Sequence, residues 1–591
     1  MKKNLSTAVF LLAASANAFA QTSAKDSLRV VNLQEVQVVS TRATSKTPVA
    51  YSNISQKEIQ KQNFGLDLPF LLTATPSVLT TSDAGSGVGY TSIRVRGTDA
   101  TRINITANGI PMNDAESHSI FWVNTPDLAS SLEDMQIQRG AGTSTNGAGA
   151  FGASINLRTA GIPSKAYAEV SGSYGSFNTH KETVRAGSGL LGNHWAFDAR
   201  ISNIQSDGYR DRATSDLKSY FLQGGYYGEN TTLKLIAFGG KEKTYHAWDG
   251  ISREQLETDR TYNPNGAIKD DNLNKGNIIG FYDDQTDNYE QTNYQLIFNH
   301  LFSPEWHLNI ALHYTDGFGY YQEYKNGRTL EEYGLKPFYL PENTEAQTKT
   351  NLVRQKLVDS GFGGGVFSVD YKDEKLSASL GGGLNHYSND HYGKVIWVKN
   401  YTEPLNPDHE YYRNNGSKTD GNIYAKANYQ ITKGLHAYAD LQYRYISYKI
   451  EGDNDKWDWT ADPGHLQRLN VNEDFSFFNP KAGLFWQFNP NHSAYASFAV
   501  AQKEPTRNNY TDGLFDELPR PEKMLDYELG YTFRNSRFTA GVNLYYMDYT
   551  DQLVLNGKVN DIGEAMAENV KDSYRMGCLL YTSPSPRDRT R

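Results

Sequence analysis

Leu435-His436-Ala437-Tyr438-Ala439-Asp440-Leu441-Gln442-Tyr443-Arg444-Tyr445 alternates without a break. Leu435, Ala437, Ala439, Leu441, Tyr443 and Tyr445 take one face; His436, Tyr438, Asp440, Gln442 and Arg444 take the other. A period of two belongs to a β-strand, whose successive side chains point to opposite sides. Ile423 to Ile431, Trp306 to Tyr314 and Ala540 to Tyr546 repeat the pattern. One face is apolar with aromatics near the strand ends, and the other is polar. A barrel with lipid outside and water or protein inside needs that pattern. A soluble β-sandwich would alternate as well, with its apolar face inward.

The connections discriminate between the two. Short turns are expected at Gly192-Asn193, Ser303-Pro304, Lys372-Asp373-Glu374, Thr432-Lys433-Gly434, Asn489-Pro490-Asn491 and Asn535-Ser536. Long polar loops fall between them, near 241–288, 321–348, 391–417, 450–471, 503–519 and 552–568. One trimmed end and one elaborated end is the arrangement of outer-membrane barrels. About fifteen or sixteen strands fit before Gly577.

Composition agrees. The 591 residues hold 40 Tyr, 26 Phe and 51 Gly, with a formal net charge of −9 and one cysteine. No run approaches the roughly 18 apolar residues of a membrane-spanning helix. Acids outnumber bases, which leaves no basic face for nucleic acid. A single cysteine excludes an intramolecular disulfide framework and a cysteine-ligated metal cluster. No H-E-x-x-H or G-x-S-x-G occurs, so no enzyme, cofactor or metal site is expected. Asp453-Asn454-Asp455-Lys456-Trp457-Asp458 lacks the glycine and glutamate of a calcium loop and reads as a solvated loop. Asp270, Asp271, Asp283, Asp284 and Asp287 read as solvated charge, with cation binding as the alternative.

The ends are set apart. Lys2 and Lys3, the apolar stretch Leu5 to Ala16 and Ala18-Phe19-Ala20 form a secretory signal peptide, residues 1–20. Cys578 to Asp588 (CLLYTSPSPRD) carries two prolines and no alternation. It matches the translation of a sequencing-library adapter, so residues 578–591 are expected to be a non-native tail and the barrel to be cut short.

Residues 21–45 form a polar leader containing one β-prone run, 33–41. That run suits strand addition by a partner, or an edge strand of the next domain. Residues 46–165 differ in texture. Ser55 and Glu58 have capping-box spacing for a helix carrying Ile59. A second short helix holds Leu68, Phe70, Leu71 and Leu72, with Pro69 in its first turn. Ile93–Gly97, Ile103–Thr106, Ile137–Gly140 and Ile155–Arg158 read as strands. The glycine-rich stretch from Gly140 to Gly152 joins strand to strand and has no phosphate-loop lysine, so it is not a nucleotide site.

Glu35-Val36-Gln37-Val38-Val39-Ser40 resembles a TonB box. Ile93–Gly97, Asn108–Asp114, VNTPDLASSLEDMQIQRG (123–140) and GAGAFGASINLRT (147–159) resemble, in order and spacing, the plug domain of TonB-dependent outer-membrane receptors. The resemblance covers essentially residues 33 to 577. It implies an all-β transmembrane antiparallel barrel (166–577) with an N-terminal α+β plug (46–165) in its lumen. The family's barrel has twenty-two strands, so about six would be missing here.

It also implies location in the outer membrane of a Gram-negative bacterium, embedded in outer-membrane lipid. The implied function is import of a scarce, bulky small-molecule ligand, driven by the proton gradient through TonB pairing with the box. A ferric siderophore is the first expectation; cobalamin, haem or an oligosaccharide are alternatives. A passive porin and a secreted β-protein are the rival classes. Two plug segments would then face outward: Thr81 to Tyr90 and Asn113 to Asn124. Tyr90, Glu116, His118, Phe121 and Trp122 there, with Tyr245, His246 and Trp248 in the longest loop, are the candidate ligand contacts. Trp122 has a competing reading as packing between plug and wall.

Overall fold

The computed structural model describes residues 42–144, 150–270, 276–341, 344–406, 408–458, 461–512, 518–559 and 565–584. Residues 1–20, expected to be a signal peptide, the leader through residue 41 with the run that resembles a TonB box, and residues 585–591 lie outside the described residues.

The plug is built from β1 (Tyr51–Ser55), β2 (Val78–Ser82), β3 (Thr91–Val95), β4 (Ile103–Ala107), β5 (Ile110–Pro111), β6 (Leu132–Arg139) and β7 (Ala153–Thr159). Five of these form a sheet in the order β1-β6-β7-β4-β5, and β2 pairs with β3 as a hairpin. Only β4 and β7 run parallel within that sheet. Ser55 starts the helix Gln56–Gln60, its N–H donating to Glu58 Oε2 at 2.9 Å. Pro69 sits in the first turn of the helix Leu68–Leu71, where no backbone donor is lost. Leu72, Ile93, Ile105, Met135 and Ile155 close the core.

The wall follows: β8 (Ala166–Tyr174), β9 (His180–Ser188), β10 (Trp195–Ser206), β11 (Ser215–Tyr227), β12 (Thr231–Tyr245), the small loop hairpin β13 (Ala267–Lys269) and β14 (Ile278–Phe281), and β15 (Thr286–Leu301). Then come β16 (Trp306–Thr329), β17 (Lys349–Lys372), β18 (Leu376–Val398), β19 (Glu410–Gln430), β20 (Leu435–Asp458) and β21 (His465–Asn489). It closes with β22 (His492–Lys503), β23 (Glu522–Arg534), β24 (Phe538–Val559) and β25 (Ala565–Pro584). Sixteen of these make one sheet in sequence order, with β13 and β14 paired apart.

The alternation of β20 is realised as read. Leu441, Tyr443 and Tyr445 are exposed on the outside, while Asp440, Gln442 and Arg444 are buried facing the plug. Trp306, Leu312 and Tyr314 face outward on β16, with His313 inward. Among the described residues no helix is long and apolar enough to cross a membrane.

The expectation for the loops changes. The loops placed near 391–417, 450–471 and 552–568 are largely strand, because β18 to β21 and β24 to β25 continue past the apolar band as tall hairpins. β20 holds 24 residues, where a crossing strand needs about 10. Above the hydrocarbon both faces can be polar, so the ladder persists after the alternation is lost. Asp453 to Asp458 therefore lies in β20 and not in a loop. Cys578 to Pro584, set apart in the sequence, continue β25 and pair with β24, Leu580 opposite Val542. Backbone pairing of this kind needs no alternation.

The plug touches the wall from β9 to β25, so the sheet wraps around it. Asp127, fully buried, meets Lys181 of β9 at 2.5 Å and Arg200 of β10 at 2.7 Å. On the far side Arg96 meets Glu528 of β23 at 2.5 Å, and Arg102 meets Glu522 at 2.6 Å. Gly140 has φ +80°, and its missing side chain leaves room for Asp526, which accepts from the Ala141 amide at 3.0 Å. Thr98 accepts from Arg575 of β25 at 3.2 Å.

Burial alone would push the Asp127 carboxyl up, but Arg200 and Lys181 override it and hold it at about 2. A depressed carboxyl contributes stability above its ordinary value of 3.8 and loses it as pH falls through about 2. Asp127→Asn leaves two buried cations short of their counter-charge, a loss of about 3–5 kcal/mol in plug attachment. Urea titration of plug proteolysis should show a lowered midpoint for the variant at pH 7, and a shrinking difference between the two proteins below pH 4. An unchanged midpoint would contradict the clamp.

Candidate functional site

Residues 42–46 enter at the end where the turns are short: Asn428, close to the β19–β20 turn, donates to the Lys46 carbonyl at 3.0 Å. The plug's two apical segments lie at the other end, among the tall hairpins. There Arg210 donates to the carbonyls of Asp83 and Ala247, tying the first segment to the wall and to the longest loop.

The second segment is held in shape by its own side chains. Asn113 accepts from the Ile105 amide at 2.7 Å and donates to the carbonyls of Ile103 and His118, each at 2.9 Å. Asp114 accepts from the Ser117 amide at 2.7 Å. His118 adopts a left-handed φ of 57°, a conformation that non-glycine residues hold only where neighbours fix them.

Above this apex is a cavity of about 470 Å³, walled by the plug, β15 to β20 and the helix Arg507–Thr511. That volume is within the range of sites for drug-sized ligands. Of the candidate contacts, Tyr90, Glu116 and Phe121 line it. Tyr90 meets Phe121 edge-on at 6.4 Å between ring centres, and Trp248 at 6.2 Å. Trp248 stacks on His246 at 4.0 Å, and both rings abut Tyr321, which lines the cavity. Two plug segments and the longest loop thus converge on one aromatic cluster. Burial pulls His246 down to about 4, so its ring is neutral at pH 7.

Three candidates sit elsewhere. Trp122 is 3% exposed and packs in one cluster with plug residues and with Phe221 and Phe238 of the wall, away from the cavity. Tyr245 donates to the carbonyls of Asn265 and Tyr282, which anchors the loop. His118 lines a separate cleft of about 80 Å³, its Nε2 lying 2.9 Å from Lys418 Nζ and 3.2 Å from Glu504. Burial and Lys418 hold His118 well below its ordinary pKa, so the neutral ring accepts from Lys418.

Glu116 is the hub. It meets His391 at 2.7 Å, Arg507 at 3.0 Å, Asn389 at 3.1 Å and Tyr448 at 3.3 Å. Burial would raise its pKa; His391 and Arg507 hold it at about 2 instead. One plug carboxylate therefore binds β18, β20 and the loop after β22. These wall partners were not picked out in the sequence. Their signal is weak: inward positions near the upper strand ends, on strands far apart in the chain. The acidic run of the longest loop disperses, with Asp284 pairing with Lys243 at 3.0 Å and Asp287 accepting from Tyr90. Asp271 lies outside the described residues. Among the described residues, no group of three His, Cys, Asp or Glu could hold a metal.

Glu116→Gln removes the charge that Arg507 and His391 face. Hydrogen exchange at residues 113–119 should rise by about tenfold, equivalent to about 1.4 kcal/mol of lost local stability. Unchanged protection would show that the apex is held by other contacts.

A family model described as "TonB dependent receptor-like, beta-barrel" matches residues 225–577, and one described as "TonB-dependent Receptor Plug Domain" matches residues 43–154. No curated protein matches by sequence. Among solved structures, the open form of the ferric-catecholate import receptor Fiu from E. coli K12 is similar at TM-score 0.65 and 15% identity, over 92% of this chain and 78% of that one. The copper transporter OprC gives TM-score 0.68 and 14% identity, over 92% and 79%. The ferric yersiniabactin uptake receptor FyuA from Yersinia pestis gives 0.63 and 10%, over 92% and 78%. At these identities the likeness is one of fold.

Proposed function

We propose that this chain, which belongs to the TonB-dependent receptor family of outer-membrane β-barrels, imports a scarce, bulky nutrient across the outer membrane, with a ferric siderophore as the first candidate. The observation that carries this reading is the Glu116 hub. It makes the floor of the outward cavity part of the same contact set that fixes the plug to the wall. A ligand seated on Tyr90, Phe121 and the apex loop presses on that hub. A shift there weakens the seam, and the plug is continuous with the leader at the other end of the barrel.

TonB then pairs with Glu35, Val36, Gln37, Val38, Val39 and Ser40 as an added strand and pulls, drawing on the inner-membrane proton gradient. Similarity in fold to a ferric-catecholate import receptor and a ferric yersiniabactin uptake receptor supports iron as cargo. A passive porin needs an open lumen, whereas here the plug is bonded to the wall by buried ion pairs on opposite sides.

Proline lacks the backbone N–H that an added strand must donate. Val38→Pro in the full-length receptor should abolish energy-dependent uptake of radio-iron chelate while leaving binding to cells intact. Uptake equal to wild type would refute the TonB-box assignment.

A further inference from the structure

The charges around the cavity do not balance. Its lining holds five carboxylates, Asp114, Glu116, Asp287, Asp455 and Asp512, against two permanent cations, Lys356 and Arg507, and one histidine, His391, which meets Glu116 at 2.7 Å. Both cations are already engaged: Lys356 with Asp455 at 2.5 Å and Arg507 with Glu116 at 3.0 Å. Asp512 is met from outside the lining by Lys456 at 2.6 Å. Asp114 and Asp287 remain, and neither has an ion pair among the described residues. Tyr387 donates to Asp114 at 2.8 Å, and Tyr90 donates to Asp287.

The neutral groups lean the same way. Asn389 is 5% exposed, donates its two amide hydrogens to Glu116 and Tyr387, and keeps a carbonyl oxygen with no donor. Asn124 also presents a buried oxygen without a partner. Behind Asp287 lies Glu242, 1% exposed, a second buried carboxylate beside Thr244. Buried acceptors without donors cost stability until a partner arrives. Tyr90, Phe121, Tyr321 and Tyr412 share the cavity, and Lys356 already lies over the Tyr321 ring at 5.4 Å and the Tyr412 ring at 6.0 Å, so this lining accommodates a cation.

We propose that the cavity takes a ligand bearing a positively charged amine, an ammonium or guanidinium, whose N–H donors meet Asp287, Asp114 and the Asn389 carbonyl within the tyrosine rings. A polyanionic chelate meets no unpaired cation here and is disfavoured. This rests on the importer reading only in taking the cavity as the ligand's seat.

The test uses the full-length receptor and two aromatic probes of opposite charge, benzylammonium and benzenesulfonate, titrated by saturation-transfer NMR. The cation should bind about tenfold tighter or more. Asp287→Asn should reduce that ratio to about threefold or less. Asp114→Asn, which touches the apex turn, is the second variant, and a loss of preference in either one supports the proposal. Equal or tighter binding of the sulfonate overturns it, as does a preference that survives in both variants. A ferric trihydroxamate with a pendant ammonium, paired with its N-acetylated form, separates the two readings. If the small cation is preferred but neither chelate binds, iron as cargo fails and the amine site stands.

Discussion

Everything in this molecule depends on buried charge between plug and wall. Asp127 with Lys181 and Arg200 closes one side, and Arg96 and Arg102 with Glu528 and Glu522 close the opposite one. Glu116 with Arg507 and His391 holds the top. Such pairs gain little over apolar packing of the same shape, but parting them without replacement costs several kcal/mol each. They therefore act as registration: the plug has one seat, and leaving it exposes several charges together. A barrel whose outside must be apolar for lipid has polar residues left for its inside, and the plug's surface answers them.

The same constraint explains what could be read in advance. The alternation of Leu435 to Tyr445 was legible because hydrocarbon outside and plug inside impose opposite chemistry on successive residues. The Ser55–Glu58 cap was legible because both partners lie within one helical turn. The tall hairpins were not. Beyond the apolar band, stretches such as Asp453 to Asp458 are polar on both faces, and a polar strand has no periodic signature. Of the candidate site, segments far apart in the sequence were named together, and the structure brings several of their residues into one place. Tyr90, Phe121, His246 and Trp248 do meet at one cluster. Tyr321, which meets His246 and Trp248, and His391 and Arg507, which meet Glu116, come from strands and loops brought together only by wrapping of the sheet, which no local pattern encodes.

Cavity and seam are one electrostatic system. Glu116 faces the ligand space and also fixes the plug; Asp287 accepts from plug Tyr90 and also lines the cavity. A ligand that brings its own donors to these carboxylates competes with plug–wall contacts at their upper end. In the proposed reading, occupancy is thereby coupled to the seating of the plug without any long-range relay.

The central claim is energised import, and the most direct measurement is radio-iron chelate accumulation in cells carrying the full-length receptor, with and without a proton uncoupler. The account predicts that uncoupling stops accumulation and leaves surface-bound label in place. Accumulation that continues at the same rate after uncoupling would contradict it.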